Sequence, residues 1–221
     1  MFRTHNLRGR RRFVALRKAK NSKKAYIKLN KKQLNLIENT KVLSLSEKIE
    51  LLLVSLGNKL TTELYENINY SKNNSAKLAQ PNKNDLKNKK KLLEQLPFIY
   101  YQDFLPNKKN KQTGQLENFT WFQVSVNKTV ARFLMRYPDD LTEFEEGILY
   151  GFPLSAIRAF SGLIESEHAK STPAAYYLAG VCSKDFWDDE QEYYQLWWER
   201  LKKLSPKIVK EAEDNFKQNN S

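Results

Sequence analysis

The sequence has few of the residues that build disulfide-bonded, thiolate-zinc or all-β proteins. Its 221 residues contain one cysteine, Cys182, so no disulfide can form within the chain, and a zinc site built on several thiolates has too few ligands. Glycine and proline number seven each, fewer than the many turns of a β-sandwich or barrel require. Because 40% of the residues are hydrophobic, the chain can still bury a core, and the composition favours a mostly α-helical fold.

Long apolar segments are also missing. The longest run of large aliphatic residues, Leu51-Leu52-Leu53-Val54, has four members, whereas a membrane-spanning helix needs roughly 20 apolar residues. The segment that begins at Met1 lacks the apolar core of a secretory signal. We therefore expect a cytoplasmic protein without a membrane span.

The positive charge is concentrated at the start of the chain. The formal net charge is +13, and residues 1–32 hold thirteen lysines and arginines with no acidic residue. The rest of the chain has twenty-five basic and twenty-five acidic residues, with an excess of +7 over residues 33–137 and of −7 over residues 138–221. The chain thus consists of a basic arm, a mildly basic middle and an acidic C-terminal part.

The basic arm is the feature that points most directly to a partner. Its like charges repel and its apolar residues are few, so we predict a flexible arm over residues 1–32. Cations beside phosphates release counterions and gain affinity without reading sequence, and Phe13 next to three arginines adds base stacking. We predict that the arm binds the phosphate backbone of RNA or DNA through Arg3, Arg8, Arg10, Arg11, Arg12, Arg17, Lys18, Lys20, Lys23 and Lys24.

Three other interpretations of the arm stay open. It can be a solvated tail that aids solubility, or an organelle transit peptide, which is also rich in arginine and poor in acids. It can also contact an anionic membrane surface, although it shows no clean apolar face.

Behind the arm we predict an irregular helical domain. Ser44 and Glu47 form a capping box for a helix over about residues 46–67. From Phe119 to Tyr137, apolar residues step by three or four and predict another helix, although the β-branched residues around Val124 to Val130 favour a strand locally. The predicted organisation is a basic flexible arm over residues 1–32, a helical segment over 33–68, an Asn/Lys-rich linker over 69–91 and a main helical domain over 92–221.

Two short helices are predicted on either side of Gly151. Thr142 and Glu145 form a second capping box, Gly151 can end the first helix, and Pro153 suits the first turn of the next. This pattern predicts an αα-corner. A DNA-reading helix-turn-helix is disfavoured, because residues 153–156 offer almost no polar side chain for base edges and the surrounding sequence is acidic.

No residue pattern carries a catalytic or metal-binding signature. Glu165 and His168 are spaced for one helix face, but a di-iron site needs a second such pair and the other histidine, His5, lies in the arm. Cys182 follows an apolar stretch and is expected in the core. We predict no catalytic residue, metal or cofactor, and a binding protein is favoured over an enzyme whose site the sequence does not reveal.

The C-terminal region supplies an alternative function. Residues 186–204 are crowded with aromatic side chains at helical spacing, most of which are expected to pack in the core. Four of them extend over more than one helix face: Tyr193, Tyr194, Trp197 and Trp198. If some of these rings are exposed, they form a surface for a protein partner, and the chain is a helical interaction or regulatory module.

Overall fold

The computed structural model describes residues 26–65, 83–109, 116–136, 141–167, 172–179 and 181–220. Helices predominate in these residues, as predicted, but a three-stranded antiparallel sheet and the two-stranded pair β4-β5, neither of them predicted, are also present. The elements in chain order are α1 Lys31–Asn39, α2 Leu45–Ser55, β1 Thr61–Tyr65, α3 Lys83–Leu93, β2 Ile99–Lys109, β3 Leu116–Ser125, α4 Lys128–Arg136, α5 Glu143–Leu149, α6 Leu154–Phe160, β4 Ser166–Glu167, α7 Pro173–Leu178, β5 Cys182–Ser183, α8 Trp187–Leu204 and α9 Pro206–Asn220.

Helix α2 lies at the centre of the core. The predicted capping box is confirmed, because Glu47 N donates to Ser44 Oγ over 3.2 Å and Ser44 N donates to Glu47 Oε2 over 2.8 Å. Every residue from Leu51 to Val54 is fully buried. Strand β1 and helices α8 and α9 pack against α2, so this single helix joins the sheet to the C-terminal helices.

The three-stranded sheet has the order β1-β3-β2, and both pairs are antiparallel. Side chains alternate between the two faces of a strand, so the register decides which residues share a face. On one face, Leu64 of β1 lies opposite Phe122 of β3, and both are buried beside Val124. On the other face, one row across the strands is Glu63, Gln123 and Tyr101, and the next is Tyr65, Trp121 and Asp103.

The helix predicted over residues 46–67 is wrong beyond Ser55. Gly57 has a φ of 72°, which ends the helical path, and the β-branched Thr61 and Thr62 then enter strand β1. The helix predicted from Phe119 to Tyr137 is wrong in its first part, since β3 runs to Ser125, but its second part is present as helix α4 from Lys128. Pairing with two neighbouring strands outweighs a helical spacing of aromatic residues that is accidental here.

The linker predicted over residues 69–91 is wrong in its second part, which forms helix α3; residues 66–82 lie outside the described residues. Lys89 is fully buried, and its ammonium lies 2.6 Å from Glu47 Oε1 and also donates to the Tyr65 carbonyl. Leu92 and Leu93 are buried as well. The Asn/Lys-rich segment therefore contains a helix, and an ion pair and two leucines hold its one buried face against the core.

The two helices predicted around Gly151 are present as α5 and α6, while the αα-corner between them stays a prediction. The second capping box is confirmed, with Thr142 Oγ1 accepting from Glu145 N over 3.3 Å. Gly151 has a φ of 79°, and a Cβ there would lie 2.1 Å from the Asn58 carbonyl oxygen. The Leu60 N–H donates to the Leu149 carbonyl over 2.9 Å, so the end of α5 is fixed to the start of β1.

No helix in the described ranges has the length and apolarity needed to cross a membrane.

Candidate functional site

The ten predicted phosphate-binding residues of the arm, Arg3 to Lys24, lie outside the described residues. Of the basic segment the structure describes residues 26–32, where Lys28, Lys31 and Lys32 are exposed. Asn30 caps helix α1, because its Oδ1 accepts from Gln33 N over 2.9 Å. The end of the basic segment is thus continuous with the first described helix.

Helix α3 brings further lysines to the same part of the molecule. Lys87, Lys90 and Lys91 are exposed on it, away from the buried Lys89. A shallow groove lined by Asn30, Lys32, Gln33, Leu36 and Gln95 joins the start of α1 to the turn that follows α3. We call the exposed lysines of residues 28–32 and of helix α3, of which Lys32 lines the groove, the basic surface: Lys28, Lys31, Lys32, Lys87, Lys90 and Lys91. None of the six forms an ion pair within the described part of the chain.

The four C-terminal aromatic residues do not form an exposed surface. Tyr194 is fully buried, Trp197 and Trp198 are each 3% exposed, and Tyr193 is half-buried. The Tyr193 hydroxyl donates to the Gly151 carbonyl over 2.9 Å, and the Trp198 ring stacks on Tyr177 at 6.1 Å between centroids. The protein-interface prediction is wrong for these residues, because α7, α9 and the loop around Gly151 cover the faces of α8 that carry them.

A polar cleft that was not predicted lies on the second face of the sheet. The sheet forms one side, and helices α4 and α5 form the other. This arrangement is unusual, because a sheet face covered by helices is normally apolar. The residues that line the polar cleft are Thr61, Glu63, Tyr101, Asp103, Trp121, Gln123, Leu134, Leu141, Glu146, Leu149 and Tyr150.

The floor of the polar cleft is a buried hydrogen-bonded network. Gln123 is 4% exposed, and its Nε2 donates to Thr61 Oγ1 over 2.7 Å. Thr61 is fully buried and donates in turn to the Val124 carbonyl over 2.7 Å. Buried polar groups that are satisfied in this way hold a single geometry, so the floor is rigid.

Carboxylates and tyrosines form the walls. Glu63 accepts a hydrogen bond from the Tyr65 hydroxyl, and the Tyr150 hydroxyl is also within hydrogen-bonding reach of it. Glu146, on α5, stands exposed at the mouth. Partial burial of the carboxyl group, reinforced by the negative charge of Glu63, raises the pKa of Glu146 above its ordinary value.

Burial and the nearby carboxylates raise the pKa of Tyr101 and Tyr150, which line the cleft, and of the adjacent Tyr65. Burial, followed by the charge of Glu63, raises the pKa of Tyr65 and that of Tyr150. Burial and then Asp103 raise the pKa of Tyr101. Each phenol therefore keeps its proton well beyond the pH at which a free tyrosine loses it.

Neighbouring cations are engaged elsewhere. Lys59 lies 5.0 Å from the centre of the Phe152 ring and near Tyr150, but its ammonium pairs with Glu50 Oε2 at 2.7 Å. In the described residues, no three His, Cys, Asp or Glu side chains are grouped closely enough to hold a metal ion. The cleft is thus an acidic and aromatic recess. It also has one buried donor, since Trp121 Nε1 has no hydrogen-bond partner in the described part of the chain.

The sequence contains a weak signal of this cleft. The side chains of the cleft face occupy alternate positions of two segments, with Thr61, Glu63 and Tyr65 in residues 61–65 and with Trp121 and Gln123 in residues 121–125. Such alternation shows a polar face only after the segments are identified as strands. The helical interpretation of both segments concealed it.

Comparison of the chain with protein-family models, with curated proteins and with solved structures gives no match. No relative therefore assigns a role to the basic surface or to the polar cleft. The proposals that follow depend on the charges, contacts and burial of the chain's own residues.

Proposed function

We propose that this chain is a nucleic-acid-associated binding protein that holds RNA or DNA phosphates nonspecifically through its basic segment, residues 3–32. The observation that carries the proposal is the distribution of charge: the first 32 residues have thirteen cations and no acid. Counterion release makes such a segment bind polyanions whatever their sequence. The proposed location is the cytoplasm, and no catalytic step is part of the proposal.

The exposed lysines of the described residues support this function. Lys28, Lys31 and Lys32 continue the basic segment into helix α1 without an acidic partner in the described ranges. The lysines of α3 extend the same basic surface beyond the groove at Gln95. A bound strand therefore has a path from the arm onto a folded helix.

The acidic C-terminal part indicates which region of the protein a polyanion approaches. Residues 138–221 carry an excess of seven negative charges, whereas the middle of the chain carries an excess of seven positive charges. Phosphates are attracted to the first described helices and repelled from the region of α5 and α8. We therefore expect the polyanion to bind at the basic surface and not at α5 or α8.

The test is the salt dependence of binding to a labelled single-stranded RNA, measured by fluorescence anisotropy. We expect the logarithm of the affinity to fall with the logarithm of salt concentration with a slope of about −0.7 per phosphate contact. Two variants should flatten the slope: Arg10→Gln, Arg11→Gln, Arg12→Gln in the arm, and Lys28→Gln, Lys31→Gln, Lys32→Gln on the basic surface. A duplex DNA of equal length shows which polyanion is preferred.

The matched control removes three exposed lysines from the C-terminal helices, Lys203→Gln, Lys210→Gln and Lys217→Gln. It changes the net charge as much as either test variant does, but it leaves the basic segment intact. Binding that falls equally in all three variants reports net charge alone. That result, or binding unaffected by the arm variant, contradicts the proposal.

A further inference from the structure

We propose that the polar cleft is a binding site for a small organic cation whose charged end is an ammonium or guanidinium group. The site shares no residue with the basic surface and has the opposite charge, so it does not depend on the proposed nucleic-acid function. Three properties of the cleft carry the inference: its charge, its aromatic walls and its unpartnered donor.

The carboxylates that line the cleft give it a negative charge. Glu63 and Glu146 line it, and none of its lining residues is a lysine, arginine or histidine. The buried lysines nearest to the sheet are already engaged, Lys59 with Glu50 and Lys89 with Glu47. A cationic ligand supplies the missing positive charge, since carboxylates in a partly desolvated cleft attract it more strongly than they would in water.

The aromatic walls add a second attraction for cations. Tyr101, Trp121 and Tyr150 line the cleft, and Tyr65 packs beside Trp121 with ring centroids 6.2 Å apart. The face of an aromatic ring attracts an ammonium or guanidinium group within about 6 Å of its centre. Carboxylates combined with aromatic rings therefore select an organic cation over a hydrated metal ion, which gains little from the rings.

The unpartnered donor refines the ligand class. Trp121 Nε1 is buried and has no acceptor among the described residues, although a buried indole N–H normally finds one. A ligand with a hydroxyl or carbonyl oxygen near its cationic group would accept this hydrogen bond while its charge meets Glu63. These features favour a cation such as an amino alcohol or an amidated basic amino acid, whose charged end alone enters the recess of about 50 Å³.

The experiment titrates the full chain with choline, ethanolamine and L-argininamide, and follows the tryptophan indole N–H signals by ¹⁵N NMR. We expect a saturable shift of the Trp121 signal, assigned with Trp121→Phe, and no shift of the buried Trp197 signal. Putrescine, which has no oxygen, should bind more weakly than ethanolamine. Methyl glucoside is the neutral probe, because aromatic and acidic clefts can also hold sugars.

The variants Glu63→Gln and Glu146→Gln keep the shape of each side chain and remove its charge. Each should weaken binding of the cations about tenfold, as expected for the loss of one charge-assisted contact. Glu192→Gln, an exposed change of the same kind on α8, should leave the affinity unchanged. Glu146 is exposed at the mouth, so its variant tests the charge without disturbing the buried floor.

Two outcomes overturn the proposal. One is a saturable response to methyl glucoside with none to the cations, which would make the cleft a sugar site. The other is cation binding that Glu63→Gln and Glu146→Gln both leave unchanged, which would move the site away from the cleft. Neither outcome affects the salt dependence of RNA binding, so this proposal and the proposed function fail separately.

Discussion

The two faces of the three-stranded sheet are built from the same strands but differ in polarity and in role. One packs in the core and the other lines the polar cleft. One face, with Leu64, Phe122 and Val124, is fully buried against the core around α2. The other face carries Glu63, Gln123 and Trp121 at alternating positions and is covered by helices that leave a polar cleft. Because side chains alternate along a strand, every second residue faces the core and the residues between them face the polar cleft.

The different polarity of the two faces distinguishes residues that stabilise the fold from residues whose presence stability does not explain. Burying apolar side chains is favourable by roughly 25 cal/mol per Å², so the first face needs no further reason. Polar and charged side chains beneath covering helices gain little stability and raise the pKa of Glu146 and of three tyrosines. Local departures from the rules of stable packing are expected at functional sites. Of the two faces of the sheet, the cleft face is therefore the better candidate for a binding site.

The largest effect is expected from the apolar face. Phe122 is 1% exposed and makes an edge-on contact with Tyr100 at 5.8 Å between centroids. Phe122→Ala should lower the free energy of unfolding by about 3–5 kcal/mol, because it removes a buried ring and leaves a cavity. Urea denaturation at pH 7 measures it. The neighbouring Trp121→Ala, on the half-buried cleft face, should cost less than half as much, and an equal cost would erase the distinction between the faces.

Local signals in the sequence were sufficient for several helix boundaries. Ser44 and Thr142 were predicted as caps because a capping box involves residues only three apart, and both boxes are present. Gly151 ends a helical path with positive φ for an equally local reason, whereas the helix predicted over residues 46–67 continues through Gly57, whose positive φ ends helix α2. These features need no knowledge of the rest of the fold.

The sheet and the cleft could not be predicted in the same way, because they depend on distant pairing. Thr61 pairs with Ser125, and Ile99 pairs with the same residue from the other side. A single segment does not reveal such partners, and the spacing from Phe119 onward also fits a helix. Lys89 shows the same limit, since its burial depends on Glu47, which is 42 residues away.

An intermediate effect is expected from the tyrosines of the cleft at high pH. A folded-state pKa raised above the unfolded value favours the protonated phenol, so the stability it provides is present below pH 10 and is lost as the pH rises further. For Tyr101 we expect a loss of about 0.5–1 kcal/mol between pH 10 and pH 11, after allowance for solvent screening. Tyr101→Phe should remove this part of the loss, as measured by urea denaturation at both pH values.

Tyr26 provides the matched control for this measurement. It is 69% exposed, so Tyr26→Phe removes a hydroxyl without touching the cleft. If the two variants lose stability equally between pH 10 and pH 11, the acidic environment inferred around Tyr101 is wrong.

The smallest effect is an increase in stability at the mouth of the cleft. Partial burial and the charge of Glu63 raise the pKa of Glu146, so its ionised form opposes folding at pH 7. Because the side chain is exposed, Glu146→Gln should raise the free energy of unfolding by only a few tenths of a kcal/mol. The gain should vanish as the pH falls below 4.5, the ordinary value for a glutamate, because the native carboxyl group then carries its proton.

The measurement is the difference in free energy of unfolding between Glu146→Gln and the native chain, obtained by urea denaturation at pH 7 and at pH 4. Glu192→Gln on α8 is the exposed control. A gain that is the same at both pH values would come from the change of side chain and not from relief of charge. A gain at pH 7 alone, combined with weaker binding of cations, would show that the polar face gives up stability at the residue that it uses for binding. Phe122 on the apolar face has no such conflict, since its burial serves folding only.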